Sequence, residues 1–358
     1  MSRLLEAGVA GRVFPGAVAC VSFADGASAE ERTAKAGLLE LNGGTVDERV
    51  HYDLAQVTQP FVAMLALRLA SRRELDLDAP IQSFVADVRN SALAGQTLRA
   101  LFEHRGGLAE TGGLYLDVPH DLGSPAARRW IVGESGRRRG SKRPGQVERS
   151  DLGYIIAGEA LARAKKEPLD VLLAREVLEP LGLTDLVVFP GALPTDRRAT
   201  LAHHVAPTER CPWRGEHVHG DVHDENAAAL GGVSGHAGLF ATAVGLARFG
   251  RAMLDVLAKR SDFLRRDVLV KALAAPKDGD PQRFGWVVAA DDKGSPQGRH
   301  MSAGAFGMEG FTGCSLYCDP ARDLSVALLS NRICPSRANE KIDGFRPAFH
   351  DGVVAALG

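Results

Sequence analysis

The chain has 358 residues, enough for two compact units or one large domain carrying an inserted subdomain. Apolar residues make up 45% and charged residues 24%, and 43 Lys plus Arg against 44 Asp plus Glu leave a formal charge of -1. That balance excludes collagen, coiled coil, a disordered chain and a general nucleic-acid-binding surface.

Cys20, Cys211, Cys314, Cys318 and Cys334 are odd in number and widely scattered, which argues against a disulfide framework and for reduced thiols. No run reaches the roughly 18 apolar residues of a membrane span. The N-terminal stretch is broken by Glu6, Gly8, Gly11 and Arg12 before a signal peptide's apolar region can form. The expectation is a cytoplasmic protein with no membrane or nucleic-acid partner.

In chain order, Phe14 to Phe23 reads as a strand between Pro15 and the Asp25-Gly26 turn, with Lys35 to Leu41 as its hairpin partner. Thr58 is placed to cap, and Pro60 to start, a helix running through Leu69 that is apolar on nearly every face and so buried. Leu98 to Glu103, Leu152 to Arg163 and Leu169 to Leu178 carry helical periodicity, and the basic run Arg137 to Gly145 reads as a solvated loop. Ala243 to Val256 is a further helix. Phe284 to Ala289, Ser315 to Cys318 and Leu324 to Leu329 are short apolar segments bounded by turns, the language of strands. The fold class is α+β: one mixed sheet from the two ends of the chain, with a largely helical region between them.

Several longer segments then match in order. They are Tyr52 to Leu69, Thr97 to Leu108, Pro144 to Leu161, Glu179 to Asp185, Ala206 to Gly215, His223 to Phe240 and Phe306 to Arg332. Together they resemble the serine β-lactamase and penicillin-binding-protein superfamily, in its class C branch of β-lactamase-related esterases and peptidases. The resemblance implies a mainly antiparallel sheet flanked by helices, from residues 1–75 and 228–358. It implies an inserted helical subdomain from 76–227, a cleft between the two, and acyl transfer through three motifs.

The first motif is Ser-x-x-Lys, in which the hydroxyl attacks a carbonyl and the amine removes its proton. The matching positions here are Gln56 and Gln59, and a carboxamide is neither nucleophile nor base near neutral pH. None of the nine lysines has Ser, Thr or Cys three residues before it, so the motif is absent and not displaced.

The second motif needs a proton-shuttling Tyr beside the nucleophile. Arg149 stands in its place, Ser150 and Asp151 survive, and Tyr154 belongs to the following helix. The third, Lys-Thr-Gly or His-x-Gly, is Met308-Glu309-Gly310, which retains the glycine and the Phe311 N–H, half of an oxyanion hole. An engineered pair of glutamines would leave the second and third motifs untouched, so the reading is natural divergence to a pseudoenzyme with no intact catalytic residue. Its cleft, lined by Gln56, Gln59, Ser150, Asp151, Glu309, Gly310 and Phe311, would bind a small ligand such as a peptidoglycan-related peptide or ester. The alternative is a protein partner at its surface.

The competing expectation is a still-active hydrolase of amide, lactam or ester bonds, rebuilt on Ser150, Asp151, Glu309, Cys314 or the histidines. A hydroxyl or thiol within hydrogen-bond reach of a base in the cleft would mark it. His203, His204, His217, His219, His223 and His236 invite a zinc reading, with His219 and His223 one helical turn apart. HExxH is absent, and the stretch His223 to Asn226 reads better as fixing a loop near the cleft. No metal and no cofactor is expected. Cys314 reads as strand packing.

Overall fold

A computed structural model describes residues 1–25, 28–274, 279–288 and 295–357. In chain order the strands are β1 (Gly16–Asp25), β2 (Ser28–Gly37), β3 (Tyr52–Asp53), β4 (Val187–Val188), β5 (Arg210–Cys211) and β6 (Glu216–His217), then β7 (Phe240–Ala241), β8 (Val287–Val288), β9 (Phe306–Glu309), β10 (Ser315–Asp319) and β11 (Leu324–Ser330). The helices up to the middle of the chain are α1 (Ser2–Ala10), α2 (Thr58–Ser71), α3 (Leu98–Phe102), α4 (Pro125–Ser135), α5 (Asp151–Lys165) and α6 (Leu169–Leu173). They are followed by α7 (Thr195–Ala202), α8 (Glu225–Ala229), α9 (Ala243–Leu257), α10 (Arg266–Leu273) and α11 (Ile342–Leu357).

Six strands form one sheet in the order β2-β1-β11-β10-β9-β8. Every pairing in it is antiparallel, so the expected mixed sheet is corrected to an antiparallel one. Sequential strands joined by tight turns supply most of its neighbours, and such connections pair strands antiparallel. The hairpin partner of β1 begins earlier than Lys35, because Ser28 to Gly37 is already strand. The Gly26 turn and the expected strand end at Ala289 lie outside the described residues.

Both faces of this sheet are covered. Val18, Cys20, Leu316, Cys318, Ala327 and Leu329 point into the larger core with α2 and α9, while Ala17, Ala19, Val21, Tyr317, Val326 and Leu328 meet α1 and α11 through Leu5, Phe349 and Val353. Double coverage explains why β11 is apolar at successive positions and not at alternate ones.

Helix α2 is the axis of the larger core. From Thr58 to Leu67 every residue is buried, and Phe61 stacks on Phe249 of α9 at 3.7 Å between ring centroids. Thr58 does not cap it, contrary to expectation. A 3-10 turn over Ala55–Val57 runs straight into the helix, and the Thr58 hydroxyl accepts from the Leu239 N–H at 3.3 Å. Ala55 sits at φ +46°, a left-handed turn that aims Gln56 out of the core. The Leu169 to Leu178 segment is α6 followed by a π turn, and Arg137 to Gly145 is loop. Among the described residues, no helix is long and apolar enough to cross a membrane.

Candidate active-site cleft

Three walls meet at a polar cleft of about 330 Å³ lined in part by Gln56, Arg149, Ser150, Asp151, Glu309, Gly310 and Phe311. The first wall is the start of α2. Gln56 and Gln59, three residues apart and therefore on one helical face, both aim at Asp151. Gln56 Nε2 donates to Asp151 Oδ2 at 2.9 Å and Gln59 Nε2 to Oδ1 at 2.8 Å. Gln59 is 1% exposed and lies behind the carboxylate and not on the cleft surface. Its Oε1 has no hydrogen-bond partner.

The second wall is the start of α5. Ser150 caps that helix: its hydroxyl accepts from the Gly153 N–H at 3.1 Å and donates to the Ala109 carbonyl at 2.6 Å. Its own N–H donates to His104 Nδ1 at 3.0 Å. Burial holds the His104 ring down to about 3, so it stays neutral. The Asp151 N–H donates to the Glu110 carbonyl at 2.7 Å. Burial raises the Asp151 carboxyl above its usual range, opposed by His236, the Gln56 amide and Arg149. Tyr154 points the other way, donating to the Phe102 carbonyl at 2.9 Å within the helical core, so it does not replace the missing Tyr.

The third wall is β9 and the turn after it. Met308 is fully buried opposite Leu316, and its sulfur lies 3.9 Å from Arg149 Nη2. Met308 thus backs the wall, while Glu309 faces the cleft and pairs with Arg346 at 3.1 Å. Arg346 also donates to the carbonyls of Gly310 and Cys314, which ties α11 to the sheet edge. A Cβ on Gly310 would meet the Leu54 carbonyl oxygen at 2.4 Å, so glycine is required for the turn to approach α2.

The decisive contact closes the three walls. The Phe311 N–H, the surviving half of the oxyanion hole, donates to Gln56 Oε1 at 3.0 Å. The carboxamide therefore spans from that N–H to Asp151 and takes up the donor that would stabilise an oxyanion.

The other candidates fall elsewhere. The Cys314 thiol is buried against the Asp53 carbonyl at 3.3 Å, and burial pushes it up to about 12, the opposite of a nucleophilic thiol. Ser234, His236 and Asp224 form a hydroxyl–imidazole–carboxylate chain of 2.8 and 2.8 Å that the sequence did not announce. Ser234 and His236 are 3% and 0% exposed and do not line the cleft. Burial opposes charging of His236, yet the carboxylates of Asp224, Asp151 and Asp53 raise it, and Asp224 is held down to about 2 despite its burial. The chain is thus a hydrogen-bonded group around a buried imidazole, apart from the cleft lining. Asp224 also caps α8 through the Ala227 N–H, and Asn226 holds the Tyr115 N–H and the Gly112 carbonyl, which fixes a loop as expected of that stretch.

His219 and His223 do not share a helix. His219 bonds the Val205 carbonyl, whereas His223 contacts Glu209 at 3.1 Å. Gly215 and Gly220, both at positive φ, turn the chain through this stretch. Among the described residues, the convergence that could suit a metal is Glu209, Cys211 and Glu225, with ligand atoms within 4.8 Å of one another. The Arg337 guanidinium bonds both carboxylates and already supplies the positive charge.

A buried helix, a second helix capped by Ser150 and an antiparallel sheet edge enclosing one cleft define the β-lactamase/transpeptidase-like class. Residues 1–343 match the family model described as Beta-lactamase, and the chain belongs to that family. It is 28% identical over 318 residues to N-acetylmuramyl-L-alanine amidase of Bacillus subtilis, covering 79% of this chain and 68% of the relative. It is likewise 28% identical to esterase EstB of Burkholderia gladioli, over 81% of this chain and 79% of the relative. Its backbone superposes on a solved class C β-lactamase with a TM-score of 0.74, at 15% identity over 100% of this chain and 95% of that one, a likeness of fold.

Proposed function

We propose that this β-lactamase-family chain is a non-catalytic member whose former active-site cleft serves as a small-molecule binding site. The observation that carries the reading is the Gln56 carboxamide, bonded at once to the Phe311 N–H and to Asp151. Its methylene stands where a serine oxygen would be joined to an acyl carbon, and its carbonyl points at the oxyanion donor. The side chain is a carbon analogue of an acylated serine that no water can release, because a C–C bond replaces the ester.

The remaining parts support the same conclusion. Gln59 offers an amide where proton transfer needs an amine, and Arg149 stands where the family has a proton-shuttling phenol. Ser150 spends its hydroxyl on capping a helix and on the Ala109 carbonyl. The amidase and the esterase among its relatives act on amides and esters, which suits a ligand related to peptidoglycan peptides, in a cytoplasmic setting.

The test is turnover by the purified wild-type chain. Chromogenic acyl esters and a chromogenic cephalosporin should be hydrolysed no faster than in buffer. Burst or steady turnover that is abolished by changing one cleft residue would overturn the reading.

A further inference from the structure

A second cavity, of about 630 Å³, shares no lining residue with the cleft. Strand β4, helix α7 and the start of α9 contribute its walls, and its volume is that of a small-molecule site. The body of the cavity is aliphatic. Leu186, Val188, Leu193, Leu201 and Val244 line it, and each is only half-buried. Helix α7 has no buried residue along its eight positions. The chain's own side chains therefore leave apolar surface uncovered here, and the hydrocarbon of a ligand would take it out of water.

The polar groups around this surface favour a positive charge. Arg49 is engaged by Asp47 at 3.0 Å and Arg248 by both oxygens of Glu31 at 2.8 and 2.9 Å, and neither of those carboxylates lines the cavity. The carboxylates that do line it are held more loosely. Asp185 meets Arg197, and Glu48 meets Lys35, only at 3.9 Å, while Asp196 has no ion-pair partner among the described residues.

His51, 7% exposed, adds an electron-rich ring to the same lining. Its Nδ1 lies 3.0 Å from the Arg49 carbonyl, which can only accept, so Nδ1 carries the proton. Burial lowers the ring's pKa against the pull of the Arg49 and Asp185 carbonyls, and His204 lowers it further, so the imidazole stays neutral. Nε2 keeps its lone pair and has no hydrogen-bond partner.

We propose that this cavity binds a lipophilic monocation, an arylalkylammonium or alkylammonium, with its hydrocarbon on the aliphatic walls and its ammonium group at the carboxylates of Asp185 and Asp196. The site is separate from the cleft and does not depend on whether the cleft is catalytic.

The experiment titrates phenylbutylamine into the full chain by calorimetry and ligand-observed NMR, beside phenylbutanol and phenylbutyrate, which carry the same hydrocarbon with no charge and with a negative one. The amine should bind about fivefold more tightly than the alcohol, and the carboxylate more weakly than the alcohol. Added salt should weaken the amine and leave the alcohol unchanged. Asp196→Asn should remove most of the amine's advantage without changing the alcohol's affinity, whereas Leu193→Ser should weaken both. Thermal melting of the two variants verifies that the fold is kept.

No binding of the amine at millimolar concentration, a carboxylate that binds as well as the amine, or an Asp196→Asn variant with the wild-type ratio of amine to alcohol affinity would each overturn the proposal. Amine binding that Arg149→Gln alters and Leu193→Ser does not would also overturn it, by placing the ligand in the cleft.

Discussion

Replacing Asp151 by Asn and by Ala separates the two things this carboxylate does. It accepts Gln56 at 2.9 Å and Gln59 at 2.8 Å, and burial disfavours its charge. In Asp151→Ala both amides lose their acceptor. Water can reach Gln56, which is partly exposed, but not Gln59 at 1% exposure. The cost is that of one buried orphaned donor plus a lost charge-assisted bond, about 2–3 kcal/mol.

In Asp151→Asn, Gln56 keeps its orientation because its Oε1 is fixed by Phe311, so the Asn carbonyl accepts from Gln56. Gln59 can rotate its amide to accept from the Asn nitrogen. The rotation leaves Gln59 Nε2 where the unpartnered Oε1 now is, exchanging one orphan for another. With the buried charge removed as well, Asn should lie within about 1 kcal/mol of wild type at neutral pH. Urea unfolding followed by circular dichroism measures both.

The acid limb adds a second readout. A carboxyl whose folded value is raised contributes stability that is fully present below its unfolded value and is lost as the pH rises through the folded one. Wild type should therefore gain on Asp151→Asn as the pH falls toward about 4. Equal losses for Asn and Ala would refute the amide clamp, and a wild type that loses ground to Asn on acidification would show that the clamp outweighs burial at Asp151.

Restoring Gln56→Ser with Gln59→Lys should yield little ester hydrolysis, because Arg149 and Met308 still stand where a proton shuttle and a polar wall are needed; robust kcat in the double variant would show those walls to be dispensable. Asp224→Asn removes the carboxylate that bonds His236 and, with Asp224 held from 3.8 down to about 2, should cost about 2 kcal/mol near neutral pH, at about 1.4 kcal/mol per unit. Asp224 is held down to about 2, so its contribution is present above its ordinary value of 3.8 and lost as the pH falls toward about 2. The gap between variant and wild type should close over that acid range in melting curves, and a gap that stays constant would remove Asp224 from the account.

Much of the cleft was legible because its chemistry sits in motifs of fixed spacing. Gln56 and Gln59 are three residues apart at the head of an apolar helix, and Ser150-Asp151 opens another, so their convergence follows once the helices are in place. The strands Ser315–Asp319 and Leu324–Ser330 were readable for a similar reason, as apolar runs closed by the Asp319-Pro320 turn.

Elements that depend on tertiary packing were not. Helix α11 contains Gly344, Pro347 and Gly352, poor helix formers, and it is held by Phe349 and Val353 against the back of the sheet. Arg346 on that helix reaches Glu309 from 37 residues away. Helix α1 is short, with Leu5 packed on the same face. Thr58 looked like a cap because local sequence cannot show that a 3-10 turn already precedes the helix. The Ser234-His236-Asp224 chain joins residues whose spacing matches no motif and which the turn at Gly231 and Gly232, φ +86° and +84°, brings back together.

The most direct test of the central claim is the intact mass of the untagged wild-type chain before and after incubation with a fluorophosphonate and a panel of β-lactams. The account predicts an unmodified mass in every case, since the cleft holds a carboxamide where an acylable hydroxyl would be. A stoichiometric adduct mapped to one cleft residue would contradict it and would identify the nucleophile.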